Sequence, residues 1–218
     1  VSYQFDLFQQ CIRALSNHNA FQGKHASVGE RSMLGVFKHV IQQIAIKDQN
    51  AFVSFDLLFE GIRSTIRGEL QSALILAERQ VDNPFAVKVL KALFMVKYYS
   101  NFKTTARNIS TLMIDNMKVD LKEHDKKINE ALALLENQTY IQRTGELYEY
   151  LTDDEKDIEE EIKAKLNASG AALIRGPKAC GKTETALRLA SSVLRVDQDE
   201  QVPYLMDADP KRLLAGKT

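Results

Sequence analysis

Apolar residues recur at three- and four-residue intervals through most of the chain, the spacing that lines one face of an α-helix. Leu7, Phe8, Cys11, Ile12 and Leu15 form the first such stripe, which stops at the polar stretch 16–19. After a loop at Gly23-Lys24-His25, Ser27 and Glu30 stand at capping-box spacing and predict a second helix carrying Met33, Val36, Phe37, Val40, Ile41 and Ile44. Asp56 is expected to cap a third, longer helix, with Leu58, Ile62, Ile66, Leu70, Leu74, Ala77 and Val81 along one stripe. Gly61 and Gly68 weaken that helix by about 1 kcal/mol each relative to alanine.

Asn83-Pro84 marks a new start, with Asn as N-cap and Pro at the first helical position. Val89, Leu90, Leu93, Phe94 and Val96 follow as a buried face. Thr104 opens the next helix, with Ile109, Leu112 and Met113, and the capping-box spacing of Asp120 and Glu123 opens another, with Ile128, Ala131, Leu132 and Leu135. The period then changes. Residues 140–143 and 146–151 read as strands joined by a two-residue turn at Thr144-Gly145, which sets Arg143 opposite Glu146. Three short helices followed by a hairpin is the order of a winged helix, a helix-turn-helix variant. Thr152 to Glu155 caps a trailing helix with Ile158, Ile162 and Leu166 four apart, and Glu159–Lys163 and Glu161–Lys165 pairs support its surface. Residues 167–170 read as a small-residue linker and a domain boundary.

Beyond that boundary the pattern carries chemistry. Gly176-Pro177-Lys178-Ala179-Cys180-Gly181-Lys182-Thr183 fits G-x-x-x-x-G-K-[ST], the phosphate-binding P-loop. The apolar run Ala171-Ala172-Leu173-Ile174 before it predicts a buried strand, and residues 184–191 after it predict a helix. Glycine at both ends lets the backbone turn successive N–H groups of residues 179–183 onto phosphate oxygens, and the helix dipole adds to their pull. Lys182 is placed to reach the β- and γ-phosphates of ATP, and the Thr183 hydroxyl to ligate Mg²⁺. Turnover also needs an acidic residue at a second strand end. Asp197, Asp199, Asp207 and Asp209 follow no convincing apolar strand, so nucleotide binding without hydrolysis is expected.

Composition narrows the remaining readings. Lys+Arg and Asp+Glu both number 29 in 218 residues, which removes any global pull toward nucleic acid or anionic membrane. No apolar run is long enough to span a bilayer, Cys11 and Cys180 make no disulfide framework, and a cytoplasmic setting is expected. The opening at Val1, in mid-pattern, suggests a piece of a longer protein. In the third helix of the expected winged helix, Lys122, Lys126 and Lys127 are offset by Glu123, Asp125, Glu130 and Glu136, leaving Arg143, Lys103 and Arg107 as a modest basic patch. Packing or protein docking is therefore favoured over DNA contact. His18, His25, His39 and His124 have no mutual metal-site spacing. Cys180, in a loop at a helix N-terminus, is expected to be alkylation-prone.

Several segments carry a family likeness: Phe21-Gln22-Gly23-Lys24-His25, Ser27 to Leu34, Leu58-Phe59-Glu60-Gly61-Ile62-Arg63, Asp82-Asn83-Pro84-Phe85-Ala86-Val87 and Glu146-Leu147-Tyr148-Glu149. On these, residues 1 to about 165 resemble the P-loop ATPase of bacteriophage-exclusion (BREX, BrxC-like) systems. The resemblance implies AAA+ ancestry, a role in phage defence beside other defence proteins, and a helical lid with a winged helix. It also implies that Arg31, after Gly29-Glu30, is similar to the lid arginine (sensor II) that contacts nucleotide phosphate, with a surface or structural role as the other reading. Residues 170–218, through the P-loop and Asp207-Ala208-Asp209-Pro210, resemble the start of a different bacterial AAA+ ATPase family. In the BREX ATPase the phosphate loop precedes the lid, whereas here it follows.

The expected fold is thus mainly α with a winged-helix domain (α plus β-hairpin), followed by a truncated α/β P-loop unit. Its divisions are a lid-like region at 1–82, a winged helix with trailing helix at 83–166, and the P-loop unit at 167–218. The expected function is ATP binding in an AAA+-type ATPase fragment linked to phage defence. The alternative is a non-enzymatic winged-helix adaptor for DNA or protein.

Overall fold

The first apolar stripe folds as helix α1 (Ser2–Asn17), with Phe8, Cys11, Ile12 and Leu15 buried. The computed structural model describes residues 2–22, 30–45, 51–175, 186 and 190. Along it follow α2 (Glu30–Ile44), α3 (Phe55–Ile62), a 3₁₀ turn (Arg63–Thr65), α4 (Gly68–Gln80), α5 (Pro84–Val96), α6 (Ala106–Leu112) and α7 (Leu121–Asn137). Strands β1 (Ile141–Thr144) and β2 (Leu147–Tyr150) and helix α8 (Asp153–Ser169) complete the described elements. The described residues are mainly helical with one two-stranded antiparallel sheet. The chain divides into two compact units, 1–160 and 161–218, and the packing below is that of the first.

Helix α5 lies at the centre. Asn83 Oδ1 accepts from the N–H groups of Phe85 (3.0 Å) and Ala86 (3.2 Å), and Pro84 takes the first helical position, where no N–H is needed. Ala86, Val87, Val89, Leu90 and all of 92–96 are buried. A helix apolar on nearly every side must be walled in, and α5 touches α1, α3, α4, α6, α7 and β2. Phe94 sits edge-on to Phe59 of α3 (5.5 Å) and to Tyr150 of β2 (5.3 Å). One continuous core therefore runs from Phe8 to Tyr150.

The long third helix expected from Asp56 is two helices. Ile66 takes an extended conformation (ψ 142°) and forms an antiparallel bridge with Phe21. Around it, the Gln22 N–H donates to the Thr65 carbonyl (2.8 Å) and the Arg67 N–H to that of Ala20 (2.9 Å). The Gln71 side-chain amide donates to the carbonyls of Arg63 (3.0 Å) and Ile66 (2.7 Å). These distant partners satisfy the backbone at the break, so the apolar period runs on while the helix stops. The N-cap position of α3 is Ser54, and Asp56 is buried within the first turn. Gly61 is a contact rather than a weakness: an added Cβ would lie 2.6 Å from Val36 Cγ1, so α2 reaches α3 because no side chain intervenes.

The hairpin register also differs from the expected one. Arg143 pairs with Tyr148 and Thr144 with Leu147, which puts Gly145 and Glu146 in the turn. Gly145 has φ +62°, whereas Asn19 and Thr139 are the described non-glycine residues with positive φ. A glycine at the first central position is the type II′ arrangement that matches strand twist. The linker expected at 167–170 is instead the end of α8, closed by Gly170 (φ +70°), whose N–H donates to the Leu166 carbonyl (2.8 Å).

Four alternating charges join α3, the 3₁₀ turn, α4 and α5. Arg63 forks onto both oxygens of Glu78 (2.7 and 2.5 Å), and Lys91 Nζ meets Glu60 (2.6 Å) and Glu78 (2.7 Å). The Arg63 hydrogen bonds, aided by Lys91 and opposed by burial, hold the Glu78 carboxyl at about 2 rather than its ordinary 4.5. A carboxyl depressed by folding adds stability above its ordinary value, and that stability drains away as the pH falls toward the folded value. Urea midpoints of the wild type are expected to fall between about pH 4.5 and 2, and Glu78→Gln to make that fall shallower. Phe94→Ala is expected to lower unfolding stability by about 3–5 kcal/mol, with helix and hairpin signals lost together. Separate transitions for the two would contradict the single core.

Candidate functional site

The stretch between α5 and α6 returns to the hairpin. The Tyr148 N–H donates to the Thr104 carbonyl (3.0 Å), and Thr105 bridges Leu147 antiparallel, so a third extended piece lies along β2. Thr105 Oγ1 then caps α6 by accepting from the Asn108 N–H (3.3 Å). Asp120 Oδ1 caps α7 by accepting from Lys122 (2.9 Å) and Glu123 (3.3 Å). Helix α7 turns His124, Ile128, Ala131, Leu132 and Leu135 inward and leaves its opposite face to solvent. That face and the hairpin turn form the candidate interaction surface.

Its charges are largely compensated. Lys122, Lys126 and Lys127 share the exposed face with Glu123, Asp125, Glu130 and Glu136. Lys127 lies 2.7 Å from Glu123 and Lys126 3.9 Å from Glu130, while Asp125 accepts from Ser110 Oγ (2.5 Å). Arg143 is occupied by its own hairpin: Nε donates to the Gly145 carbonyl (2.9 Å), and the guanidinium lies 5.5 Å from the Tyr148 ring centre. Lys103 and Arg107 are exposed.

Sequence reasoning missed a charged centre at the end of α5, where Lys97 has only 3% of its side chain exposed. Its Nζ donates to the Tyr150 carbonyl (2.7 Å), to both oxygens of Glu155 (2.8 and 3.1 Å) and to Glu149 (3.4 Å). Glu155 also accepts from the Thr152 N–H (2.8 Å), and Thr152 Oγ1 accepts from the Glu155 N–H (3.4 Å), so the cap predicted for α8 takes the form of a capping box. Burial raises the Glu155 carboxyl, but Lys97 and the Thr152 bonds outweigh it and hold the group below its usual range. Burial, reinforced by Glu155 and Glu149, pushes the neighbouring Tyr98 hydroxyl up to about 12. The signal was a lysine directly after the unbroken apolar run 92–96 that ends α5.

Gly176, Pro177, Lys178, Ala179, Cys180, Gly181, Lys182 and Thr183 lie outside the described residues, as do Asp197, Asp199, Asp207, Asp209 and His25. The buried strand expected at Ala171-Ala172-Leu173-Ile174 is absent: residues 171–175 have no regular secondary structure, and Leu173 is 76% exposed. A parallel strand needs a neighbour to satisfy its backbone, and among the described residues β1–β2 is the whole sheet. Arg31 falls in the first turn of α2. His18 stacks on Tyr98 (4.3 Å), and buried His124 meets the Ser110 carbonyl through Nε2 (3.0 Å). Cys11 is buried, which pushes its thiol up to about 12. Among the described residues no helix is long and apolar enough to cross a membrane, and no group of three His, Cys, Asp or Glu could hold a metal.

No family model matches the chain, and no solved structure matches it.

Removing the Lys97 ammonium strands carboxylates that it compensates. Lys97→Met is expected to destabilise the first unit by roughly 3 kcal/mol in urea unfolding, and Glu155→Gln by less, because Glu155 is a third exposed. A neutral Lys97→Met would show that the cluster is incidental.

Proposed function

We propose that the chain is a winged-helix module of an AAA+-type ATPase linked to bacteriophage defence, working in the cytoplasm, and that it binds ATP with Mg²⁺ through residues 176–183. The observation that supports the module most directly is the edge piece at 104–105 paired with β2. It gives residues 84–151 the order helix, edge strand, helix, helix, two-stranded wing, which is the connectivity of a winged helix. The sequence segments that resemble the BREX ATPase, including Asp82 to Val87 and Glu146 to Glu149, fall at the start of α5 and in the hairpin.

Charge decides what such a module docks on. Duplex DNA affinity comes mainly from cations that displace counterions from phosphates. On α7 the lysines stand beside an excess of carboxylates, and Arg143 is held by the hairpin. A mixed, near-neutral face suits a protein partner, here another phage-defence protein, better than a polyanion.

The nucleotide part rests on the motif. Two glycines, Lys182 and Thr183 supply the turn, the ammonium and the hydroxyl that a Mg-triphosphate needs. Arg31 is assigned a phosphate contact by likeness to the lid arginine alone. No acidic residue after the loop follows a strand-like apolar run, so the reading is binding without turnover.

Fluorescent Mg-ATP is expected to bind the 218-residue chain and to lose about tenfold or more in affinity in Lys182→Ala. No phosphate release should accompany binding. If the wild type binds no nucleotide, the motif is vestigial and the chain is an adaptor. Filter retention of duplex at low salt is expected to be nil; retention that disappears in Arg143→Ala would replace the protein partner with DNA.

A further inference from the structure

Between α1, α6 and the turn after α5 lies a cavity of about 560 Å³, within the size range of ligand pockets. Its walls carry three aromatic rings, Tyr3, Tyr99 and Phe102, and its lining has a single charged side chain, Asp6. Tyr3 is 41% exposed and Asp6 is exposed, so the mouth opens to solvent, while Tyr99 and Phe102 are half-buried against the core.

The polar groups of the lining keep acceptor oxygens, beside the donors of Gln10, the second Asn108 N–H and the Tyr3 and Tyr99 hydroxyls. Asn108 Nδ2 donates to the Lys103 carbonyl (2.7 Å), and the Thr111 hydroxyl donates to that of Arg107 (3.0 Å). Each therefore retains oxygen lone pairs, and Asp6 and the Gln10 carbonyl add further acceptors. Aromatic faces attract cations through their quadrupole, and a planar guanidinium combines ring stacking with several donors. The lining thus lacks the counter-charge that an anion would need and has what an arginine needs.

The geometry points to this cavity as a receptor for the guanidinium of an arginine side chain on a partner polypeptide. The arginine stacks on the half-buried rings, pairs with Asp6, and donates to Gln10, Asn108 and Thr111. The site is independent of the nucleotide reading, since every residue in it belongs to the first unit.

The test is an amide chemical-shift titration of the 218-residue chain with acetyl-Gly-Arg-Gly-amide, and with the same peptide carrying citrulline, which keeps the shape and loses the charge. The arginine peptide is expected to give saturable shifts along α1 and α6, and citrulline none. Asp6→Asn should weaken binding about two- to fivefold, and Gln10→Lys, which adds a cation at the site, should abolish it. Both substitutions lie outside the buried core, and unchanged circular dichroism checks the fold. Absence of saturable shifts, equal binding of the citrulline peptide, or wild-type affinity in Asp6→Asn would each overturn the assignment.

Discussion

Helix α5 has almost no side that tolerates water, and the rest of the first unit follows from that constraint. Burial of a Leu or Phe side chain stabilises by about 1.5–3 kcal/mol, so a helix with nine buried positions is stable only inside a closed shell. Helices α1, α3 and α4 cover one part of it, and α6, α7 and β2 cover another. Phe94 is the point where the two parts meet, because its ring packs against Phe59 and Tyr150 together. A two-stranded hairpin alone is marginal in water. This one persists because Tyr150 is fully buried and its hydroxyl donates to the Leu70 carbonyl of α4 (3.2 Å).

The polar contacts serve orientation more than net stability. Lys91 and Lys97 lie along or just past α5, and each meets two carboxylates from elements remote in sequence. Desolvation offsets much of the Coulomb gain in such pairs, whereas a wrong pairing strands a charge. They therefore select one arrangement of α3, α4, the hairpin and the start of α8 over near alternatives. Glu155 shows the economy of this: one carboxylate completes a capping box and also receives Lys97.

What the sequence revealed depends on how local each cause is. Asn83, Asp120 and Thr152 cap the helices that follow because their partners lie two or three residues away. The helix break at Ile66 was hidden because its cause is Phe21, more than forty residues earlier, while the apolar spacing continues unbroken through it. The hairpin was legible, but its register was not, since alternation alone does not say which residue needs positive φ; Gly145 settles it. The run at 171–174 reads as a strand by composition, yet a strand exists only with a neighbour, and none lies beside it among the described residues.

The same rule separates the two candidate binding sites. A phosphate loop is one continuous turn whose backbone amides do most of the gripping, so eight consecutive residues announce it without any fold. The acceptor-lined cavity is the reverse case. Asp6 and Gln10 come from α1, Tyr99 and Phe102 from the turn after α5, and Asn108 and Thr111 from α6. No spacing along the chain joins them. They face one cavity because α5 draws α1 and α6 against it, so the constraint that built the core also created a site that sequence pattern alone could not reveal.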